Sequence, residues 1–172
     1  MIMAAKNKIS YTIDKLIPSD WQQICTIYLE GIATKLATFE TKPPTWKQWN
    51  VDHLSTCRLV ARSGSKVIGW AALSAVSQRK CYAGVAEISL YISTAYRRQG
   101  VGKALMKALI TESKCHGIWT LQGSTFPENM DSLCLQKAFG FRIVGYRKRI
   151  ACHYGIWRDT VIMERRSNTI NK

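Results

Sequence analysis

The sequence predicts an α/β fold of the α+β kind, in which helices cover both faces of a mixed, mostly antiparallel central sheet. The first observation is the order of predicted elements: a strand, helices, a run of strands, a helix, a strand, a helix and two closing strands. The second is the turn at 63–66, which joins two apolar runs into an antiparallel hairpin. The third is an amphipathic stretch at 100–115. Such an order indicates helices layered around one sheet.

The amino-terminal half begins with alternating residues at 10–16, which predict a strand. Ser19 or Asp20 is the expected cap of the next helix, and Gly31 is expected to weaken or end it. A loop is expected at 36–44, because two prolines close that segment. The remaining expectations in this half are a short helix at 46–54 and hairpin strands at 58–61 and 67–73.

The carboxyl-terminal half begins with an apolar strand at 84–93, followed by the helix at 100–115 that Gly117 ends. A short buried strand is expected at 118–121 and a helix at 129–139, stopped by Gly140. Two strands, near 141–150 and 160–164, close the sheet. Because the chain contains no repeat or linker, we expect a single domain over residues 1–172, with its core at about 10–166.

Composition restricts the class of protein. The amino terminus lacks the apolar run of a signal peptide and no stretch approaches a membrane span, so a cytoplasmic protein without a membrane partner is expected. The six cysteines show no metal-ligand spacing, and we expect them to be reduced and mostly buried, with no metal bound. The net charge of +14 is spread along the chain rather than clustered, which favours an anionic small molecule over nucleic acid as the partner.

A basic glycine loop, Arg97-Arg98-Gln99-Gly100-Val101-Gly102, lies between the strand at 84–93 and the helix at 100–115. Glycines let the backbone approach an anion closely, and the first amides of a helix have no partner within the helix. This arrangement predicts a pyrophosphate site at the positive end of the helix. The spacing differs from that of the P-loop and of the dinucleotide fingerprint. An ordinary strand-to-helix turn with two arginines is the alternative.

The loop resembles the acyl-CoA-binding motif of the GNAT superfamily of N-acetyltransferases. Further blocks resemble its phosphinothricin, methionine sulfoximine and arsinothricin acetyltransferase group, over roughly residues 10–166. The blocks that carry the resemblance lie at 38–43, 69–71, 85–92, 128–133, 139–141 and 155–159. The resemblance implies the GNAT fold, with acetyl-CoA as co-substrate, no metal, and a homodimer to which Trp157 and Asp159 contribute.

Coenzyme contacts are assigned by this resemblance to three segments. The pantetheine arm is expected to bind the backbone of Leu90, Tyr91 and Ile92, in the manner of an added strand. Asn129 and Ser132, at the start of the last helix, are expected to contact the same arm, although Asn129 also suits a plain helix cap. The residues expected to hold the pyrophosphate are Arg97, Arg98, Gln99, Gly100, Val101, Gly102 and Lys103.

Glu87 is the expected general base, because an ammonium group must lose its proton before nitrogen can attack a thioester. The alternative is a strand glutamate paired with an arginine. Where many acetyltransferases have a tyrosine or histidine that protonates the leaving thiolate, this chain has Gln136, which is not an acid. The resemblance therefore implies transfer without a dedicated acid.

The acceptor is expected to contact Phe39, Glu40, Arg79, Tyr82 and Ser89, with Arg79 as the candidate cation for an acidic group. The function expected is acetyl transfer to the α-amino group of a small amino-acid analogue of the phosphinothricin, methionine sulfoximine or arsinothricin type. Acetylation removes the ammonium charge, so a toxin that mimics glutamate would lose its fit. The alternatives are transfer to protein amino groups or polyamines, and a module that binds acetyl-CoA or nucleic acid without catalysis.

Overall fold

A seven-stranded sheet forms the centre of the computed structural model, which describes residues 9–170. Neighbouring strands run antiparallel except β4 and β5, which run parallel, so the predicted mixed sheet is confirmed. The strand order is β1-β2-β3-β4-β5-β7-β6. The strands are β1 (Thr12–Lys15), β2 (Leu59–Ser63), β3 (Lys66–Ala75), β4 (Val85–Ile92), β5 (Thr120–Thr125), β6 (Arg142–His153) and β7 (Ile156–Arg166). The helices are α1 (Trp21–Ala33), α2 (Trp46–Asp52), α3 (Val101–Cys115) and α4 (Met130–Ala138).

The sheet separates two hydrophobic cores, because side chains alternate between its faces. In β2, Leu59 and Ala61 pack on the α3 side, whereas Val60 packs on the α1 and α2 side. The α3 core contains Leu105 and Leu109 of that helix, both fully buried. The core of α1 and α2 is rich in aromatic residues, including Tyr28, Trp49 and Trp70. Helices therefore cover both faces, as the sequence predicts.

Two expectations at α1 are wrong in detail. Gly31 does not end the helix, which continues to Ala33. A Cβ at Gly31 would lie 2.8 Å from the ring of Tyr91, so the glycine makes room for that ring. Asp20 stands at the cap position, yet its carboxylate accepts a 3.0 Å bond from the Ile17 amide and binds the Arg62 guanidinium at 3.0 Å instead of capping α1.

The last strands extend further than predicted. β5 begins at Thr120 and ends at Thr125, later than the predicted strand at 118–121. The closing strands, predicted at 141–150 and 160–164, are longer and form one hairpin that turns at Tyr154 and Gly155, both with positive φ. Long exposed strands such as β6 carry a weak apolar alternation, which is why the pattern understates them.

The cysteines are mostly exposed, so the expectation that they are mostly buried is wrong. Cys57 is buried and Cys25 is half-buried, whereas Cys81, Cys115, Cys134 and Cys152 are exposed. All six are free thiols. Across residues 9–170, the helices are too short or too polar to cross a membrane.

Candidate active site

The parallel strands β4 and β5 separate partway along their length. Their ladder covers three residue pairs and ends where Glu87 pairs with Gln122. Beyond this point β4 continues to Ile92 beside β3, while β5 continues to Thr125 beside β7. The backbone of Leu90, Tyr91 and Ile92 therefore borders a wedge between the strands, where an extended amide chain can add as a strand does.

The basic glycine loop leads directly from this wedge into α3. Gly100 is the N-cap of α3 and has a φ of +86°, a left-handed conformation that favours glycine. Arg98 also has a positive φ, +60°. Gln99 anchors the loop, because its side-chain amide donates to the Ala95 carbonyl at 3.0 Å. The amides that begin α3 at Val101 have no partner within the helix, so they make a candidate anion site at the wedge.

The basic side chains of the loop are exposed, as expected for phosphate contacts. The Arg97 guanidinium donates to the Ile92 carbonyl at 3.4 Å. Arg98 forms an ion pair with Asp131 in the first turn of α4, and both side chains are largely exposed. Such an exposed pair contributes little stability. Lys103 is exposed on the first turn of α3.

Glu87 lies at the point where the strands separate. It is half-buried, and one of its carboxylate oxygens accepts a 2.9 Å hydrogen bond from the Gln122 side chain. Its cross-strand neighbour is Ser74 of β3, and Ser89 follows two residues later on the same face of β4. The structure therefore places the carboxylate between the wedge and a neighbouring cavity, described next, that Ser74 and Ser89 line. The partner of Glu87 is an amide and not an arginine, unlike the alternative considered from the sequence.

A cavity of about 310 Å³ opens on this face of the sheet, between β4, α1 and α2. Its walls are largely aromatic, with the Trp70 and Tyr91 rings stacked 4.8 Å apart. Burial lowers the pKa of His53, which stacks on Trp49 at 4.2 Å, so this imidazole is neutral at neutral pH. The lining residues are Tyr28, Glu40, Pro44, Gln48, Trp49, Asp52, His53, Trp70, Ser74, Ser89 and Tyr91.

The loop at 36–44 crosses from this cavity to the other half of the sheet. On one side the Tyr91 hydroxyl donates to the Ala37 carbonyl at 3.2 Å. On the other side Phe39 packs edge-on against Phe126 at 4.7 Å, close to the buried His153. The 36–44 loop thus covers the cavity, and its contacts attach it to the sheet on both sides of the wedge.

Two of the expected acceptor residues, Glu40 and Ser89, line the cavity. Phe39 is next to Glu40 in the 36–44 loop that covers the cavity. Arg79 and Tyr82 do not line it. They lie exposed on the connection between β3 and β4, where the guanidinium sits 5.6 Å from the tyrosine ring centre. The structure therefore brings Phe39, Glu40 and Ser89 together, and it places Arg79 and Tyr82 away from them.

Asn129 uses both halves of its side-chain amide. The oxygen accepts from the Ser132 amide at 3.2 Å and caps α4, while the nitrogen donates to the Leu36 carbonyl at 3.1 Å. The amide nitrogen carries a second N–H, which neither of these two bonds uses. The expected contact between Asn129 and the coenzyme arm therefore stays a prediction, and it is compatible with both bonds.

Gln136 is almost fully buried against β5. Its amide nitrogen donates to Thr125 at 2.9 Å and to Ser132 at 3.3 Å. Gly123 makes this position possible, since a Cβ there would lie 2.3 Å from the Gln136 oxygen. The residue that replaces the usual acid is thus a fixed hydrogen-bonding group.

Much of the aromatic wall of the cavity has no distinctive signal in the sequence. Trp49 of α2 and Trp70 of β3 come from separate elements, and a tryptophan at either position alone suits an ordinary core position. The sequence pattern likewise does not mark His153 as part of the site. This histidine is buried beside Phe39 and Phe126, and burial together with the positive Arg158 and Lys35 lowers its pKa.

This combination of wedge, helix-end anion site and strand carboxylate is supported by comparison with known proteins. The model of the acetyltransferase (GNAT) family matches residues 21–141. The phosphinothricin N-acetyltransferase of Alcaligenes faecalis is 30% identical over 169 residues, which cover 91% of this chain and 83% of that protein. The L-methionine sulfoximine/L-methionine sulfone acetyltransferase of Pseudomonas aeruginosa is 22% identical over 152 residues, covering 85% and 88%.

Among solved structures, a phosphinothricin acetyltransferase from Sinorhizobium meliloti in complex with AcCoA is similar, with a TM-score of 0.84 and 27% identity. The match covers 95% of this chain and 91% of that one. The chain belongs to the GNAT family of acetyltransferases. It is an N-acetyltransferase with the GNAT fold, similar to the phosphinothricin and methionine sulfoximine enzymes.

Proposed function

We propose that the protein transfers the acetyl group of acetyl-CoA to the α-amino group of a small amino-acid analogue with a neutral side chain, for which methionine sulfoximine is the model. The observation that carries this choice is the charge of the cavity beside Glu87. Its two acidic lining residues are Glu40 and Asp52, and no arginine or lysine occurs among the described residues that line it. An acceptor with a second acid, such as phosphinothricin, is therefore disfavoured.

The charges and donors of the cavity suit an amino acid. The Glu40 carboxylate and the aromatic faces attract the ammonium group. The Ser74 and Ser89 hydroxyls and the Gln48 amide provide donors for the acceptor's carboxylate. Acetylation in the cytoplasm removes the ammonium charge, which is the basis of detoxification by this reaction.

Glu87 accepts the proton that the ammonium group must lose, directly or through water. Gln122 holds the carboxylate by a 2.9 Å bond to one oxygen, which leaves the other oxygen for the acceptor. Acetyl-CoA supplies the activated acetyl group, and the amine nitrogen forms its new bond to the acetyl carbon as the carbon–sulfur bond breaks. Because Gln136 has no proton to give at neutral pH, the thiolate leaves without a dedicated acid.

The residues at the wedge fit acetyl-CoA. Gly100, the left-handed N-cap of α3, has no side chain that could cover the first amides of the helix. These amides are therefore accessible to a diphosphate. At Gly102 a Cβ would meet Leu135 at 3.5 Å, an ordinary contact distance, so the protein itself does not require glycine there. The close approach of a ligand explains the glycine, because a side chain at position 102 would obstruct that approach.

Replacing Gly100 by Ala is expected to raise the dissociation constant of acetyl-CoA by about tenfold, or about 1.4 kcal/mol. The matched control is Gly64→Ala, since Gly64 also has a positive φ, +59°, with open space around it. Both variants introduce the same kind of backbone strain, but only Gly100→Ala changes the anion site. Calorimetric titration measures both. Equal dissociation constants for the two variants would contradict the site.

A panel of acceptors tests the proposed substrate. We expect kcat/KM to be at least tenfold higher for methionine sulfoximine than for phosphinothricin, because the latter brings an extra negative charge to Glu40 and Asp52. Glu40→Gln and Asp52→Asn are expected to narrow this ratio. A higher kcat/KM for phosphinothricin in the unchanged enzyme would overturn the choice of a neutral side chain.

Polyamines are the second candidate acceptors, because two carboxylates and aromatic walls also suit a second cationic group. Spermidine in the same panel separates the two candidates. A kcat/KM for spermidine above that for methionine sulfoximine would assign the cavity to polyamines, and Asp52→Asn would then lower that value selectively.

The proposed enzyme is a homodimer formed through the hairpin of β6 and β7. Large apolar side chains on this hairpin are exposed, with Trp157 at 60% and Tyr146 at 62%. β6 is also an edge strand of the sheet. Apolar patches and open edges of this kind are normally covered, and a second copy can cover both at once.

Changing Trp157 to Asp is expected to reduce the solution mass measured by sedimentation equilibrium from that of a dimer to that of a monomer. Val51→Asp is the matched control, since Val51 is 72% exposed on α2, away from the hairpin. A monomeric unchanged protein, or equal masses for all three proteins, would refute this interface.

A further inference from the structure

We propose that Cys57, Glu112 and His116 form a zinc site, separate from the transfer chemistry, that fixes the segment before β2 to the carboxyl-terminal end of α3. One ligand atom from each of these side chains lies within 4.8 Å of the other two. The proposal departs from the expectation of no metal, which rested on spacing along the sequence. That spacing cannot show a site whose ligands are 55 residues apart.

The geometry of the cluster is close to that of a metal site. Zinc binds sulfur at about 2.3 Å and nitrogen or oxygen at about 2.0–2.2 Å, so ligand atoms lie roughly 3.3–3.8 Å apart. The His116 Nε2 and Glu112 Oε1 atoms are already 3.8 Å apart. Because Glu112 and His116 are partly exposed, rotation of their side chains can bring them the remaining distance to the Cys57 sulfur.

The three residues come from two parts of the fold that pack together. Glu112 and His116 are four residues apart at the end of α3, a spacing that places both side chains on one face of a helix. Cys57 is fully buried at the edge of the α3 core and has a positive φ of +58°. A cysteine is not favoured in this conformation, and its presence there is explained if its sulfur has a role.

The chemistry of the ligands selects the metal. A thiolate, an imidazole and a carboxylate together suit zinc, whereas magnesium and calcium prefer oxygen ligands alone. The negative end of the α3 dipole favours a cation at this position. When zinc binds, the Cys57 sulfur forms its bond to the metal and releases its proton to solvent.

The site is remote from the anion site. α3 has 15 residues, so its ends are separated by about 20 Å at a rise of about 1.5 Å per residue. An open depression along α3 borders Glu112, and His116 is exposed at the end of the helix. Zinc is therefore expected to raise thermal stability by joining α3 to the 54–58 segment, without changing the affinity for acetyl-CoA.

Cobalt is the probe for the test, because Co²⁺ bound to a thiolate shows a sulfur-to-metal charge-transfer absorption. Untagged, reduced protein treated with a chelator is titrated with CoCl₂ and then with ZnCl₂. We expect the absorption to appear at one equivalent of cobalt and to disappear when zinc displaces it. Absence of the absorption in the unchanged protein overturns the proposal.

The variants are Cys57→Ser, Glu112→Gln and His116→Gln, with Cys134→Ser as the matched control because Cys134 is an exposed thiol on α4. Cys57→Ser is expected to abolish the absorption and Cys134→Ser to retain it. Glu112→Gln and His116→Gln, which change partly exposed side chains, are each expected to weaken zinc binding at least tenfold in calorimetry. Retention of the absorption in Cys57→Ser, or unchanged zinc affinity in both surface variants, overturns the site.

Discussion

Replacing Glu87 by Gln is expected to lower kcat at neutral pH by about 100-fold or more, the usual contribution of a general base. The amide has the same shape as the carboxylate and can still bond to Gln122, so the cavity keeps its form. Glutamine cannot accept the ammonium proton, and the loss therefore falls on turnover. Steady-state kinetics with methionine sulfoximine measure kcat, and calorimetry measures acetyl-CoA affinity, which we expect to be unchanged.

Gln122→Leu is the control for this prediction, because it removes the 2.9 Å bond to Glu87 but keeps the carboxylate. Its kcat is expected to stay within about tenfold of the unchanged enzyme, because the carboxylate that accepts the proton is retained and only one hydrogen bond to it is lost. If Glu87→Gln turned over within threefold of the unchanged enzyme, Glu87 would not be the base.

Replacing Trp70 by Ala is expected to lower the free energy of unfolding by about 3–5 kcal/mol. Trp70 is 1% exposed. Its ring stacks on Tyr91 at 4.8 Å and meets Tyr28 and Trp49 edge-on. Alanine would leave a large cavity among these three aromatic residues, which cannot all move to fill it. Urea denaturation followed by circular dichroism gives the free energy.

Trp157→Ala is the matched control for Trp70, since the same change is made at a side chain that is 60% exposed. Its effect on protomer stability is expected to be within about 0.5 kcal/mol, when measured below the concentration at which subunits associate. A loss below about 1 kcal/mol for Trp70→Ala would mean that the aromatic core repacks around the gap.

Much of the fold can be predicted from local signals in the sequence. The turn at 63–66 and the glycines after α3 and α4 mark boundaries, since Gly117 and Gly140 both adopt positive φ at helix ends. Apolar periodicity identifies α3, because one of its faces is buried along its whole length. The long closing hairpin was underestimated, since an exposed strand carries a weak apolar pattern.

The site was only partly predictable, for a physical reason. The anion loop is contiguous, so its glycines and its position before a helix are visible in a single segment. The acceptor cavity draws Tyr28, Trp49 and Trp70 from three elements, and their proximity depends on packing. The same holds for the approach of Cys57 to α3. Asn129 shows a further limit, because its second partner, Leu36, lies 93 residues away.

The separation of β4 and β5 has an evolutionary consequence. Main-chain groups along the wedge and at the start of α3 offer hydrogen bonds whatever side chains the neighbouring residues carry. Apart from Gly100 and Gly102, residues there can therefore be substituted while the main-chain contacts to the acyl donor are kept. The acceptor cavity is built from side chains, so each change in its walls alters which amine fits. Relatives at 22–30% identity can thus keep one donor while diversifying in what they modify.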